Sequence, residues 1–366
     1  MKISVTHVIT TIDLGGAEKQ LLTLATCQKQ KGYDVEIIFL KDNPSLMQNF
    51  LANNINVDIS FSKLPFRKQV IELRKKQKGF QGIFHAHLPR AELLCALALD
   101  PHSFIVTRHN SEPFLTLGPS SISRLLSRFV LNKSFASISI SEAVARYLTN
   151  CKEMKSKEHN HIILYGLSNT EVKHREKIWR TTESVTIGTI SRLVKQKNLP
   201  LLLETFEIFS KKVKLPSRLV IVGKGPLKGD LQSFARKLCI EDSINWLGQT
   251  QDVTKIYQSI DVFVLTSDYE GFGLVLLEAM SQGVPVIARR VSAIPEVLGA
   301  NHPGLIESQD SEEFASRILK LFTDKSFFQT FLEYQSNQIT KFNIENAHAA
   351  HEIIYIELLK NREINK

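Results

Sequence analysis

The sequence predicts an α/β protein built from two successive doubly wound, parallel-sheet units, and three observations carry that reading. The chain has 366 residues, more than one hydrophobic core usually organises, so two units of about 170 to 190 residues each are expected, with a cleft between them. Short β-branched runs alternate with longer amphipathic stretches, as strands joined by crossover helices do. The alternation pauses at a polar stretch, 153–180, rich in Lys, His and Glu, and then restarts, which marks a linker between units.

Taken in order, strands are expected at Ile3–Ile9, Val35–Leu40, Val57–Ser60, Gly82–His85, Phe104–Thr107, Ala136–Ile140 and His161–Leu164. The first run is broken by Ser4, Thr6 and His7 and is followed by no small-residue cleavage site, so it reads as a strand and not as a secretory leader. The pattern resumes with strands at Val185–Ile190, Arg218–Val222, Ile244–Trp246, Val262–Leu265 and Val284–Ala288. Helices are expected at Asn198–Val213, Leu227–Leu238, Gly273–Gln282 and Ser311–Phe322. A last segment, His348–Lys360, repeats apolar residues at three and four and is expected to be a helix folding back on the first unit. The expected domains are therefore 1–168, completed by 345–366, and 169–344.

Composition narrows the class. Hydrophobic residues make up 43% and charged residues 23%, an ordinary globular balance, and no segment approaches the roughly 20 apolar residues that span a bilayer. Cys27, Cys95, Cys151 and Cys239 are scattered without a CxxC pair, so neither a disulfide framework nor a zinc site is indicated, and a cytoplasmic location fits. Residues 1–170 hold 21 Lys+Arg against 13 Asp+Glu, while 171–366 hold 25 against 24. The excess is concentrated in 63–78 and 124–133, where cations interleave with apolar residues at helical spacing. Those segments read as ordinary surface helices, as a face lying on an anionic membrane, or, least favoured, as a nucleic-acid surface.

Chemistry in open α/β sheets gathers at the carboxyl ends of strands. After Val262–Leu265 the chain runs Thr266-Ser-Asp-Tyr-Glu-Gly-Phe-Gly-Leu-Val-Leu-Leu-Glu278. Gly271 and Gly273 let backbone approach a ligand, and the helix starting near Leu274 offers N–H groups to an anion such as a diphosphate. Glu278 stands on an apolar helical run, where a carboxylate needs hydrogen-bond donors; a ribose diol or a neighbouring cation would each serve. Glu270 reads either as a solvated loop acid or as part of the site. After Val185–Ile190, the sequence Ser191-Arg-Leu-Val-Lys-Gln-Lys-Asn198 places Arg192 and Lys197 at the same sheet edge, where cations neutralise charge on a departing diphosphate. In the first half, Gly15 and Gly16 make a turn after strand one that is not a GxGxxG fingerprint. His85 and His87 have HxH spacing without an evident third ligand, which favours structural roles.

At these residues the chain resembles the GT-B glycosyltransferases of the large GT4 group, retaining enzymes that use sugar nucleotides. The resemblance rests on Glu270-x7-Glu278, on Arg192 and Lys197, and on Gly223-Lys-Gly-Pro-Leu227. It is extended by Trp246-Leu-Gly248, Asp261-Val-Phe-Val-Leu-Thr-Ser267, Gly283-Val-Pro-Val286 and Pro295-Glu296, in matching order across about 185–300. Gly15-Gly-Ala-Glu18 matches the group's GGAE segment. Two positions depart from the common pattern: Ser292-Ala-Ile precedes Pro295-Glu296 where Gly-Gly is frequent, and Tyr165-Gly166 stands where Asn-Gly is frequent.

The resemblance implies that Glu270 contacts the donor sugar, Glu278 the ribose, and Arg192 with Lys197 the diphosphate. Gly271, Phe272, Gly273, Leu274 and Val275 would line the donor, with Gly15, Gly16 and Gly223 allowing backbone approach. The loop 246–253, including Leu247, would hold the base, uracil favoured and guanine second. His109 matches a position near the transferred sugar. The implied reaction moves a hexosyl group from a nucleotide diphosphate sugar to a hydroxyl of a glycan or lipid-linked glycan, in surface polysaccharide or lipopolysaccharide synthesis. It needs no cofactor and no metal, since no DxD signature is present. Expected partners are the donor, the acceptor and an anionic membrane surface at the inner face of the cytoplasmic membrane; nucleic acid is not among them, and the oligomeric state stays open. The rival readings are a sugar-nucleotide epimerase of the same fold and a non-catalytic sugar-nucleotide-binding protein.

Overall fold

The computed structural model describes residues 3–41, 44–115, 119–154, 159–168, 183–250 and 252–364. Most of the expected linker, at 155–158 and 169–180, lies outside them. The chain divides into unit 1, Met1–Ser168 with Phe342–Lys366, and unit 2, Asn169–Lys341.

Unit 1 is built on seven parallel strands: β1 (Ser4–Ile9), β2 (Asp34–Phe39), β3 (Asn56–Asp58), β4 (Ile83–His87), β5 (Phe104–Arg108), β6 (Ala136–Ser139) and β7 (Asn160–Ile162). Their order is β3-β2-β1-β4-β5-β6-β7, which reverses direction at β1, as a doubly wound sheet does. The crossovers carry α1 (Gly16–Gln30), α2 (Met47–Ala52), α3 (Phe66–Gln77), α4 (Pro89–Ala98), α5 (Ser120–Lys133) and α6 (Glu142–Asn150). Strands buried on both faces explain the near-continuous apolar runs. Val5, Val35, Ile37 and Ile105 pack with Leu21 and Leu24 of α1 on one face. Val8, Ile38, Phe84 and Val106 pack with Leu73 of α3, Leu94 of α4 and Val130 of α5 on the other. Glu153, expected to open the linker, instead lies buried in unit 1, beside Arg108.

Unit 2 repeats the plan with six parallel strands: β8 (Val185–Ile190), β9 (Ser217–Val222), β10 (Ile244–Leu247), β11 (Val262–Leu265), β12 (Val286–Arg289) and β13 (Leu305–Ile306). Their order is β10-β9-β8-β11-β12-β13. Helices α7 (Leu199–Lys212), α8 (Lys228–Lys237), α9 (Val253–Ser259), α10 (Leu274–Ser281), α11 (Ile294–Leu298), α12 (Ser311–Thr323) and α13 (Lys325–Ile339) surround it. Three of these start on an aspartate cap: Asp252, Asp310 and Asp324 each accept from a backbone N–H of the first turn. β12 starts at Val286 and not at Val284, because Pro285 has no N–H for the ladder; its carbonyl still accepts from Phe263.

The chain then returns to unit 1 as α14 (Ile344–Ile364), longer at both ends than its amphipathic segment. Leu167 N–H donates to Phe342 O and Ile344 N–H to Leu167 O, which ties the returning segment beside Tyr165 and Gly166. The division therefore falls between Lys341 and Phe342. Ile354, Tyr355 and Leu358 of α14 complete the core around α1. No helix among the described residues is long and apolar enough to cross a membrane.

Candidate functional site

In unit 2 the loops after β8, β9 and β11 leave neighbouring strands at the same edge, and hydrogen bonds lace them together. Thr266 Oγ1 donates to Lys197 O (3.0 Å) and Gln196 Nε2 to Tyr269 O (2.8 Å); Asp268 N–H donates to Gln196 O (2.8 Å). Lys197 follows from this frame. Its Nζ lies 2.6 Å from Glu270 Oε1, and Ser267 Oγ donates to the same oxygen at 2.7 Å. The two charged side chains are only 12% and 8% exposed, so the pair satisfies charges that would be costly to bury singly. Arg192 differs: it is exposed, and its Nη2 donates to Gln196 Oε1 at 3.1 Å.

The glycines of these loops have distinct reasons. A Cβ on Gly223 would stand 1.9 Å from Ser191 O, and its φ of +142° is itself unfavourable for other residues. Glycine there lets the loop after β9 lie flush on the loop after β8, where Leu193 N–H donates to Lys224 O. Gly273 is the N-cap of α10 at φ +91° and ψ +49°, a left-handed turn that sends the chain from Phe272, 2% exposed, into the helix. Leu274 and Val275 thus supply the first amides of an unpaired helix terminus, where an anion is stabilised. Gly271 is buried beside them, and Leu247 ends β10 with its carbonyl accepting from Gly223 N–H (3.1 Å).

One turn inside α10, Glu278 Oε2 lies 2.9 Å from the hydroxyl of Tyr257, which also lies 3.1 Å from Val275 O. Tyr257 is 1% exposed, and burial together with the Glu278 charge pushes its phenol well above the usual range, so it stays a neutral donor. Sequence reasoning missed Tyr257, Ser267 and Asp268. Asp268 accepts from Arg289 Nη1 (2.6 Å) and Asn198 Nδ2 (3.2 Å) and so braces the loop that carries Glu270. Ser267 and Asp268 stand in the motif and loop after β11 with no side-chain role read for them, and no motif marks Tyr257. Lys197, Glu270, the α10 terminus and Glu278 are thus fixed on one loop-and-helix frame, suited to a ligand with adjoining anionic and hydroxyl groups.

The remaining expected residues belong to unit 1. Gly15 is the extended N-cap of α1 and Gly16 its exposed first residue. His109 follows β5; its Nδ1 lies 2.5 Å from Tyr165 Oη and its Nε2 3.0 Å from His87 Nδ1. Burial pushes its pKa down to about 3. The third histidine absent from the HxH reading is supplied by β1: His7, His85 and His87 bring ring nitrogens within 4.8 Å of one another. These nitrogens are committed to hydrogen bonds. His7 Nδ1 and His87 Nε2 lie 2.9 Å apart, shorter than the roughly 3.3 Å between tetrahedral ligands at Zn–N of about 2.0–2.1 Å. His85 faces Tyr355 (2.8 Å) and Thr107 (2.7 Å). The trio is a hydrogen-bonded set in this geometry, not a ligand set.

Known proteins agree with this architecture. Residues 171–340 match the family model described as glycosyl transferases group 1, and 14–163 match glycosyltransferase family 4. N-acetyl-alpha-D-glucosaminyl L-malate synthase of Bacillus anthracis is 32% identical over 166 residues, 44% of this chain and 44% of its own length. An uncharacterized glycosyltransferase of Haemophilus influenzae is 26% identical over 318 residues, 82% of this chain and 84% of its own. Among solved structures, Anabaena HepE in complex with UDP and glucose superposes with a TM-score of 0.81 at 18% identity, over 96% of this chain and 98% of that one; at that identity the likeness speaks for the fold.

Proposed function

The chain belongs to the group 1 glycosyl transferases, with a GT-B fold, and from that premise we propose that it moves a hexosyl group from a nucleotide diphosphate sugar to a hydroxyl of a glycan or lipid-linked glycan, with retention of configuration. The observation that carries the proposal is the Lys197–Glu270 pair set beside the glycine-capped start of α10, with Glu278 one turn further on. A diphosphate would draw on Lys197, Arg192 and the amides of Leu274 and Val275, a ribose on Glu278, and the sugar on Glu270. Catalysis would then be positioning together with charge stabilisation on the leaving diphosphate. The loop 246–253, of which Gln251 lies outside the described residues, is where we place the base. A UDP-sugar is favoured, in keeping with the UDP bound by the HepE neighbour, and surface polysaccharide synthesis is in keeping with relatives such as the O-antigen chain mannosyltransferase B of Escherichia coli.

For unit 1 we propose acceptor binding at an anionic membrane surface. α3, α4 and α5 pack on one face of its sheet. α3 exposes Ile71 at 51%, and Arg67, Lys68, Lys75 and Lys78 on or next to the same helix are exposed; α5 exposes Ile122 at 48% and Leu125 at 63%. Exposed apolar side chains together with Lys and Arg suit the boundary between headgroups and acyl chains.

The function is tested by a panel of UDP- and GDP-sugars, read first as thermal stabilisation and then as slow release of the nucleotide diphosphate. Stabilisation with release supports a transferase. Stabilisation without release, with or without added acceptors, would favour a non-catalytic binding protein and overturn the reading.

A further inference from the structure

Unit 1 contains a run of side-chain hydrogen bonds that the donor-site reading does not use. Gln28 of α1 offers its carbonyl to His7 Nε2 (2.8 Å) and its amide N–H to Tyr355 Oη (3.2 Å). His7 Nε2 therefore carries the proton, and a neutral His7 can only accept at Nδ1. The donor there is His87 Nε2–H, 2.9 Å away. His87 in turn accepts at Nδ1 from His109 Nε2–H (3.0 Å), and His109 accepts at Nδ1 from the Tyr165 hydroxyl (2.5 Å). At the other end, Tyr355 O–H donates to His85 Nδ1 and His85 Nε2–H to Thr107 Oγ1. Every tautomer is set once Gln28 is placed, and all the bonds point the same way.

The rule behind the chain is neutrality. His7, His85 and His87 are buried to 2% exposure or less, and burial, with repulsion from neighbouring histidines, holds each pKa below the ordinary value. His351, on α14 against His85, is likewise held down, to about 4; its Nδ1 donates to Ala347 O (2.7 Å). A protonated imidazole would have two N–H donors and would break the chain wherever it formed. The side chains come from α1, β1, β4, β5 and α14, and from the segment after β7, so their order is a property of the whole unit. Tyr165 is also one of the two positions at which the sequence departs from its group.

We propose that His87 is a positioning residue for His109: the imidazoles behind it fix His109 as a neutral Nε2–H tautomer, while the Tyr165 hydroxyl occupies Nδ1. This rests on the proposed transferase function and on the place near the transferred sugar that the family resemblance implies for His109. Held this way, His109 cannot act as a free general base; it keeps one orientation and presents its ring edge and backbone to whatever binds beyond β5. His87 and Tyr165 set that orientation without needing to touch a substrate.

The test combines a spectroscopic and a kinetic readout on the full chain. Long-range proton–nitrogen correlation spectra of histidine-labelled protein report each tautomer directly. The wild type is expected to show His7, His85, His87 and His109 as neutral Nε2–H forms at pH 7. His87→Phe is expected to remove the single tautomer of His109 and lower kcat at least tenfold, with the donor KM changed less than threefold. His87→Asn, whose side-chain oxygen reaches the position of Nδ1, is expected to restore both. Tyr165→Phe, which leaves the buried trio intact, guards against misfolding of the His87 variants: it should free Nδ1 and raise the His109 pKa. An Nδ1–H form or a charged His109 in the wild type would overturn the proposal. So would unchanged kcat in both His87→Phe and Tyr165→Phe. Should the wild type turn over no donor at all, the transferase reading fails while the spectra still decide the chain.

Discussion

Lys197→Ala separates what the buried pair does for the fold from what it does for a donor. The substitution leaves Glu270, whose side chain is 8% exposed, with Ser267 Oγ at 2.7 Å as the donor remaining on Oε1. Breaking a buried pair by removing one partner costs about 3–5 kcal/mol; since Lys197 retains 12% exposure, the lower end, about 3 kcal/mol, applies. For a unit of this size each kcal/mol moves Tm by about 2–4 °C, so a fall of about 6–12 °C is expected. The assay is intrinsic tryptophan fluorescence on heating, because Trp246 stands on β10 against the core of unit 2. Adding Glu270→Gln to Lys197→Ala removes the stranded charge and should recover most of the loss in Tm. It should not recover turnover, which Lys197→Ala lowers by about 10²–10³ if the ammonium stabilises the leaving group. Arg192→Ala, at an exposed site, should leave Tm within about 2 °C of the wild type while lowering turnover. A Lys197→Ala protein that melts with the wild type, or a double variant as unstable as the single one, would refute the argument.

Three other outcomes are expected. Tyr257→Phe removes the 2.9 Å hydrogen bond to Glu278, and calorimetric titration should show uridine diphosphate binding weakened by about 1–2 kcal/mol, or 5- to 30-fold, with a dideoxyribose analogue affected little. In unit 1, burial raises Glu92 from 4.5 to about 7, the Arg108 charge pulling it down and Glu153 pushing it up; Arg108 Nε approaches Glu92 Oε2 to 3.0 Å without the alignment of a hydrogen bond. A raised carboxyl pKa means that the folded state holds the proton more tightly, so this contribution is complete below pH 4.5 and is lost as pH rises through 7. Denaturant titrations should therefore show Glu92→Gln gaining on the wild type by about 3 kcal/mol between pH 4.5 and 8. Finally, the protein should sediment with anionic but not neutral vesicles at low salt, and Leu125→Glu, at the most exposed apolar residue of α5, should abolish it; binding to neither vesicle would remove the membrane reading.

The fold was legible because its signals are repetitive. Alternating apolar runs mark most strands within two residues, as at β8, and the amphipathic stretches of unit 2 mark α7, α8, α10 and α12 as closely. α13 escaped notice because its buried face mixes Phe328 and Phe331 with Gln335 and Gln338, and the glutamines are in the core to bond the backbone of other segments: Gln335 pairs with Val284 and Val286, Gln338 with Val297. β13 has two residues, too few for any period. In the candidate site, the spacing of Glu270, Glu278, Arg192 and Lys197 was readable, since each sits at a fixed offset from a strand end. The partners that hold them were not. Tyr257 reaches Glu278 from a different helix, and Asp268 meets Arg289 from the next strand, so both contacts depend on tertiary placement. The histidine chain was hidden for the same reason: HxH names two members on β4, while His7, His109, Gln28 and Tyr355 are joined to them only through the sheet and the helices that cover it.

Transfer is tested most directly by mass spectrometry of a membrane-lipid extract incubated with the protein and each UDP- and GDP-sugar in turn. One donor is expected to yield a hexosylated lipid or lipid-linked glycan, with product reduced about 10²–10³-fold in Lys197→Ala. Binding of a nucleotide sugar with no glycosylated product from any donor, or equal product from Lys197→Ala, would contradict it.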